Sequence, residues 1–265
     1  MKITTKNIEG VPDFEACRFF PTGTKYAICI PVINEGRRLH KLLERAQKHG
    51  IGEQADIIIC DGGSTDGSTR DDVLITLGVN TLLTKTGPGK LGAQLRMGFW
   101  WALKNNYRGI ITIDGNNKDS IESAGLFIKK LDEGYDFIQG SRYISGGKAI
   151  HTPRLRSLAV KYIHAPLISR AAKFNYTDTT NGFRGYSAGY LLHPEVKPFR
   201  EVFQSYELLA YLSVKANRLG LKVCEIPVIR AYPAVGKTPT KISPLRGNFE
   251  LLKILFKTVR GDYDI

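Results

Sequence analysis

An aspartate that ends an apolar run and is followed by amides can hold a cation and a phosphate. Asp114 is such a residue: it closes the β-branched run Ile110, Ile111, Ile113 and opens the turn Gly115, Asn116, Asn117. The run reads as a buried strand of a parallel sheet. Asp119 or Ser120 would cap the helix that follows, with Glu122 in its first turn. A carboxylate and an amide at the carboxyl end of a central strand lie where open α/β sheets bind ligands. An ordinary strand–turn–helix corner explains the same residues, and both readings stay open at this point. Three more polar corners follow apolar runs: Asn34/Glu35 after KYAICIP, Asp61 after DIIIC, and Arg142 in GSRY. In a parallel sheet those strand ends share one edge, so the corners point to one site. The spacing excludes a P-loop, since no GxxxxGK[ST] occurs, and GPGKLG does not match the dinucleotide fingerprint. No Ser-His-Asp set stands out, and the five histidines are scattered.

The elements that would position these corners alternate. Strands are expected over Lys25–Pro31, Asp56–Cys60, Asn80–Thr84, Ile110–Ile113 and Asp136–Gln139. Helices are expected over Arg37–Lys48, after GPGKLGAQ (Leu91, Leu95, Phe99 and Leu103 every four residues), and near Ser120–Leu131. Strand–helix alternation argues a doubly wound, mostly parallel sheet with right-handed crossovers. In the second half, Arg154–Phe174 reads as a helix that Pro166 should kink or break. Thr177–Ser187 reads as a polar loop entering a short strand, Gln204–Leu219 as a helix, Lys222–Arg230 as a strand, and Pro233–Ser243 as a basic loop. One domain over 25–243 is expected, with residues 1–24 as an irregular N-terminal arm. From Pro244 to Arg260, Leu245, Phe249, Leu252, Phe256 and Val259 form a stripe, with Arg246, Lys253, Lys257 and Arg260 mostly off it. Such a C-terminal basic amphipathic helix either packs its stripe on its own domain, the commoner case, or lies on a membrane.

The 265 residues carry a net charge of +13, so an anionic partner is expected: a nucleotide or lipid phosphate, or an anionic membrane surface. The basic residues gather at the loops and the last helix without an RNA-binding aromatic signature, which argues against nucleic acid. The four cysteines are far apart, which excludes a CxxC zinc site and fits a reducing, cytoplasmic compartment. No apolar stretch is long enough to span a membrane, so any membrane contact is expected to be peripheral, on the cytoplasmic face.

IPVINEG, CDGGSTDGS, GPGKLGAQLRMG, IDGNNKD, QGSRY and NGFRGYS fall in an order that resembles family 2 glycosyltransferases, and within them the dolichyl- and polyprenyl-phosphate mannose synthase group. The resemblance covers roughly residues 25–243. It implies the GT-A fold, a Rossmann-like α/β domain with a mostly parallel central sheet flanked by helices. It implies an inverting glycosyltransferase that takes a GDP- or UDP-linked sugar to a polyprenyl phosphate, aided by magnesium or manganese. By position, the resemblance places Pro31, Asn34 and Glu35 against the nucleotide base and Asp61 on the base or ribose, with Ser64 and Asp66 completing that turn. It lays Lys90 and Arg96 over the nucleotide. Asp114 and Asn116 match the DxD pair that grips the metal and the diphosphate. Arg142 would lie near the sugar or acceptor, and Arg184 of the Asn181–Gly182–Phe183–Arg184 loop would face a phosphate. Glu207 would lie near the acceptor, and Arg230, Lys237 and Lys241 would close over phosphates.

The chain departs from the family at the second acid of DxD, which is Asn116, and at a third ligand position, which is Lys118. An amide ligates a hard cation with less charge. Protonated Lys118 cannot ligate, but it could supply positive charge to the diphosphate. A lipid phosphate is already ionised and needs no base, whereas a sugar hydroxyl does, and Glu207 is then the candidate. The alternatives are transfer to a sugar hydroxyl of a glycan or small molecule, or a non-catalytic nucleotide- or lipid-phosphate-binding module. A nucleotidyltransferase would need a glycine-rich basic signature that NEGRRLHK does not supply.

Overall fold

The computed structural model describes residues 2–234 and 246–264. The first half contains β1 (Lys2–Thr5), β2 (Phe14–Arg18), β3 (Tyr26–Val32), α1 (Arg37–Lys48), β4 (Asp56–Asp61), α2 (Asp71–Thr76), β5 (Thr81–Lys85), α3 (Leu91–Lys104), β6 (Gly109–Thr112) and α4 (Ala124–Asp132). The second half contains β7 (Phe137–Ser141), β8 (Lys148–Ile150), α5 (Arg154–Ala159), a π-helical turn (Val160–His164), α6 (Ala165–Ala172), β9 (Arg184–Ser187), α7 (Ala188–Leu192), α8 (Glu207–Arg218), β10 (Val223–Pro227), β11 (Ile229–Ala231) and α9 (Arg246–Arg260).

Nine strands form one sheet in the order β1-β2-β5-β4-β3-β6-β9-β7-β10. The neighbours β5-β4-β3-β6 pair in parallel, as do β7 and β10, while β2 and β9 run against their neighbours. The expected mostly parallel α/β sheet is therefore present. Ile57 and Ile59 enter one core layer and Ile58 and Cys60 the other, and all four are buried. A strand covered on both faces needs apolar residues at every position, which is why DIIIC shows no alternation. Each such side chain contributes about 1.5–3 kcal/mol of transfer free energy.

Residues 1–24 were expected as an irregular arm, but β1 and β2 pair antiparallel and extend the sheet beyond β5. Their alternation is too short and too polar to read, because β1 is an exposed edge whose side chains pack against little. The Lys222–Arg230 strand is broken at Val228, and β11 leaves the main sheet to pair with β8. The helix over Arg154–Phe174 is not broken at Pro166. Pro166 sits in the first turn of α6, where a missing N–H costs little, and the turn before it widens to a π-helix.

Two contacts draw the central strand ends together. Gly98 of α3 lies so close that a Cβ there would be 2.6 Å from the Cys60 sulfur and 3.1 Å from that of Cys29. One turn earlier on α3, Gln94 Nε2 donates to the carbonyls of Val32 and Cys60, both at 2.7 Å. A helix that clamps the last carbonyls of β3 and β4 fixes the edge on which the polar corners stand.

Candidate functional site

Because β4, β3 and β6 are neighbours, Asp61, Asn34 and Asp114 emerge side by side on the carboxyl edge. Strand spacing puts the ends of β4 and β6 roughly 10 Å apart, with β3 between them. The two flanks are built differently.

On the β3/β4 flank the polar groups are knitted to one another. Asp61 is buried and accepts from the backbone N–H groups of Gly63 and Ser64 and from the Ser64 hydroxyl at 2.6 Å. Asn34 adopts a left-handed φ of 49°. Its N–H donates to Ser64 Oγ at 3.0 Å, and its Oδ1 accepts from the Thr65 N–H at 2.8 Å. Asp66 accepts from the Gly36 N–H at 2.8 Å and from Ser68, so it laces two loops rather than capping a helix. Burial works against its charge, but these bonds hold its carboxyl below the usual range. Glu35 pairs with Arg38 at 2.9 Å, and Pro31 lies past Cys29, where the ladder between β3 and β6 ends. Lys90 is exposed at the mouth of this flank, and its N–H donates to the Gln204 carbonyl at 2.9 Å.

On the β6 flank the groups are ionic. Asp114, three-tenths exposed, accepts from Arg230 Nη2 at 2.8 Å and from the Asn116 amide at 3.3 Å. Arg230 Nη1 donates to Asp119, which is fully buried. Asp119 was expected as a helix cap; it is instead the inner anchor of Arg230. Burial pushes its carboxyl up to about 6 despite the guanidinium. Burial opposes the charge of Asp114 too, but Arg230 overrides it and the carboxyl is held below its ordinary range. Lys118 is buried with its ammonium 4.9 Å from the centre of the Tyr232 ring. Burial and Arg230 draw its pKa down from the ordinary lysine value. Arg156, on α5, donates to the Tyr232 hydroxyl at 2.8 Å. Burial would raise the Tyr232 phenol, but Arg230, Arg156 and Lys118 together lower it.

Three expected ligand-facing arginines have other work. Arg184 is buried and donates to the carbonyls of Asn181, Thr179 and Leu209 and to Ser213 Oγ, which pins the loop before β9 to α8. It therefore does not face a phosphate. Arg142 makes a two-point ion pair with buried Asp178, at 2.6 and 2.9 Å, and also donates to Thr180. Arg96 is buried and donates to the carbonyls of Phe203 and Gly10, so it braces the core rather than lying over a nucleotide. A guanidinium with several carbonyl or carboxylate partners satisfies itself internally, and residue type alone does not reveal that. Glu207 sits in the first turn of α8 and accepts from the Ser205 N–H at 2.5 Å, a helix-terminus role. Lys237 and Lys241 lie outside the described residues.

Asp114 and Asn116 were the expected metal grip for magnesium or manganese. In this structure both residues have partners within the protein. Asn116 Oδ1 already accepts from the Lys118 N–H at 3.2 Å, and Arg230 bridges Asp114 to Asp119. Among the described residues no group of three or more His, Cys, Asp or Glu could hold a metal ion.

The loop that carries Gly182 closes against Asp114. Thr112 Oγ1 donates to the Gly182 carbonyl at 2.8 Å, and a Cβ on Gly182 would lie 2.8 Å from Asp114 Oδ1. Gly182→Ala is therefore expected to displace the Asp114 carboxylate and lower turnover by about tenfold, the scale of 1.4 kcal/mol in transition-state binding. Steady-state kinetics alongside a melting curve would check it; unchanged kcat would show that the loop yields.

Residues missed in the sequence are Tyr206, Tyr232 and Arg156. Burial and the Asp114 carboxylate raise the Tyr206 phenol to about 12. Tyr206 adjoins Glu207 and Tyr232 lies two residues past Arg230, both named from the sequence, and that nearness was the available signal.

The sequence model described as Glycosyl transferase family 2 matches residues 27–192. The polyprenol monophosphomannose synthase of Mycolicibacterium smegmatis is 26% identical over 89% of this chain and 88% of that protein. The undecaprenyl-phosphate mannosyltransferase of Micrococcus luteus is 25% identical over 79% of this chain and 84% of that protein. Among solved structures, glucosyl-3-phosphoglycerate synthase from Mycobacterium tuberculosis in complex with uridine diphosphate superposes with a TM-score of 0.62 at 16% identity. That superposition covers 89% of this chain and 80% of that one, and it identifies the fold as GT-A.

Proposed function

The chain belongs to glycosyl transferase family 2 and is a glycosyltransferase of GT-A fold, and we propose that it moves a sugar from a GDP- or UDP-linked donor to a polyprenyl phosphate. The observation that carries this reading is the cationic cluster beside Asp114. Lys118, Arg156 and Arg230 surround one aromatic ring, Tyr232, with Asp114 and Asp119 as the two carboxylates among them. Three cations against two carboxylates make an anion site at the edge where the family holds its donor. As the glycosidic bond breaks, charge develops on the leaving diphosphate, and pre-placed cations stabilise it. The acceptor phosphate is ionised at neutral pH, so its oxygen attacks the anomeric carbon from the opposite face without a base, and configuration inverts. The helix-terminus role of Glu207 agrees with a reaction that needs no base. Asn34 and Asp61, across the end of β3, would meet the nucleoside, with Pro31, Glu35 and Lys90 around it.

The relatives named as acting on polyprenol and undecaprenyl phosphate support the acceptor class. The test is direct. The protein is incubated with GDP-mannose or UDP-glucose and a polyprenyl phosphate, and lipid-phosphate sugar is sought by mass spectrometry. Transfer only to free sugars or glycans would overturn the acceptor assignment.

A lipid acceptor calls for contact with an anionic bilayer surface. Three residues of the stripe expected to pack inward on α9 face out, Phe249, Leu252 and Phe256 at 68%, 42% and 58% exposed, while Val259 packs on the core. The packing face is a second one, Ile254, Leu255 and Thr258. Lys253, Lys257 and Arg260 flank the outward stripe. On the α5 side, Leu155, Leu158 and Tyr162 are 80%, 52% and 65% exposed, in a segment, 137–177, with seven Lys/Arg and no Asp/Glu. Apolar side chains rimmed by cations suit an anionic lipid surface. No helix among the described residues is long and apolar enough to cross a membrane. Phe249→Ser with Phe256→Ser is expected to weaken flotation with anionic vesicles at least several-fold, since each buried aromatic contributes about 1.5–3 kcal/mol. Its melting temperature should move little, because both residues are mostly exposed. Unchanged flotation would remove α9 from the contact.

A further inference from the structure

We infer that Arg230 is the resident cation of the donor site, so that this enzyme binds the nucleoside diphosphate without a divalent ion. The inference rests on the donor reading above and concerns how the same site is charged. Two carboxylates that converge on a shared cation are the usual grip for a metal. Here Asp114 and Asp119 converge on one guanidinium, and Arg230 bonds to both. Asp119 is fully buried, and an ion that took its Oδ2 would have to displace Arg230. Backbone pairing makes such displacement costly. Asp119 and Arg230 form an isolated bridge, Ala231 N–H donates to the Lys118 carbonyl at 2.8 Å, and Ser120 N–H donates to the Ile229 carbonyl at 2.9 Å. The turn after β6 and the strand that carries Arg230 are thereby laced together, with the guanidinium between them.

The rest of the turn is arranged to the same end. The Asn116 oxygen accepts from the Lys118 N–H, and Lys118 itself puts an ammonium on the Tyr232 ring where a further ligand would be needed. A guanidinium has five N–H donors in a rigid fork. Two of them hold the carboxylates, which leaves donors for phosphate oxygens, and an arginine binds phosphate at two points. Asp114 and Asp119 then act as positioning residues that aim Arg230, and the charge a metal would bring is covalently attached.

The test uses wild-type protein and the plain nucleotides UDP and GDP, titrated by calorimetry in EDTA and in Mn2+. The better of the two should bind with the same Kd, within about twofold, under both conditions, and Mn2+ alone should show no saturable binding by electron paramagnetic resonance. Arg230→Ala is expected to weaken binding in EDTA by about 100-fold, the order seen when a charge-assisted two-point contact is removed. Should Arg230→Ala fail to fold, Arg230→Lys keeps the charge and loses the fork, and about a tenfold weakening is expected. Binding of wild type only in the presence of Mn2+ would overturn the inference while leaving the donor reading intact. Absence of UDP and GDP binding under both conditions would overturn the donor reading and the inference with it.

Discussion

Asp114→Ala is expected to lower sugar transfer by roughly 10²–10³-fold, the range found when one preorganised electrostatic group is removed from an active site. The expectation follows from where the carboxylate stands. It is the one acid of the ionic flank that reaches the open edge, three-tenths exposed, and it holds Arg230 at 2.8 Å. Without it the guanidinium keeps only its inner partner, Asp119, and is free to withdraw from the edge toward that buried carboxylate. The loss should fall on kcat more than on KM, because the charge that Arg230 meets grows as the leaving group departs. Stability should change by only a few degrees, since the side chain ends a strand and is not part of either apolar layer. Asp114→Asn separates shape from charge: it fills the same space beside Gly182 but brings no negative charge to Arg230, and it should be nearly as inactive as the alanine. Turnover within tenfold of wild type in both variants would remove Asp114 from the donor site.

The positions of these groups were legible in the sequence to the extent that they are local. Asp61 and Asp114 end buried β-branched runs, and a run of that kind announces a central strand and therefore a shared edge. The partners were not legible, because they are set by folding across long separations. Arg230 meets Asp119 across 111 positions, and Arg184 meets Leu209 across 25. Composition says that an arginine is charged; it does not say whether carbonyls of the same chain will satisfy it. The family resemblance placed Arg184, Arg142 and Arg96 on ligands by position alone, and local spacing made Asp119 read as a cap. The outward stripe of α9 failed for a related reason. Its period marks an apolar face, but a helix with two such faces, Phe249/Leu252/Phe256 and Ile254/Leu255, does not disclose which one packs.

Asp178→Ala is expected to be the most destabilising single change at the site, by about 3–5 kcal/mol, the range for removing one member of a buried ion pair. Asp178 is fully buried and receives two guanidinium N–H groups of Arg142, the Arg142 backbone N–H, and the N–H and hydroxyl of Thr180. Alanine would leave the Arg142 charge buried without its counter-ion and would release the loop at Thr180. For a chain of this size the loss corresponds to a fall of roughly 6–15 °C in melting temperature. The double variant Arg142→Met, Asp178→Leu removes both charges together, and it should recover most of that loss, because apolar replacements of buried pairs are often neutral or better. A fall below about 3 °C for Asp178→Ala would mean that water reaches Arg142 and that the pair is not structural. The catalytic consequence distinguishes this variant from Asp114→Ala. Asp178 never touches the edge, but four residues later its loop places Gly182 against Asp114. At temperatures where the variant is still folded, its activity should fall moderately and recover in the double variant, whereas no change at Arg142 should rescue Asp114→Ala.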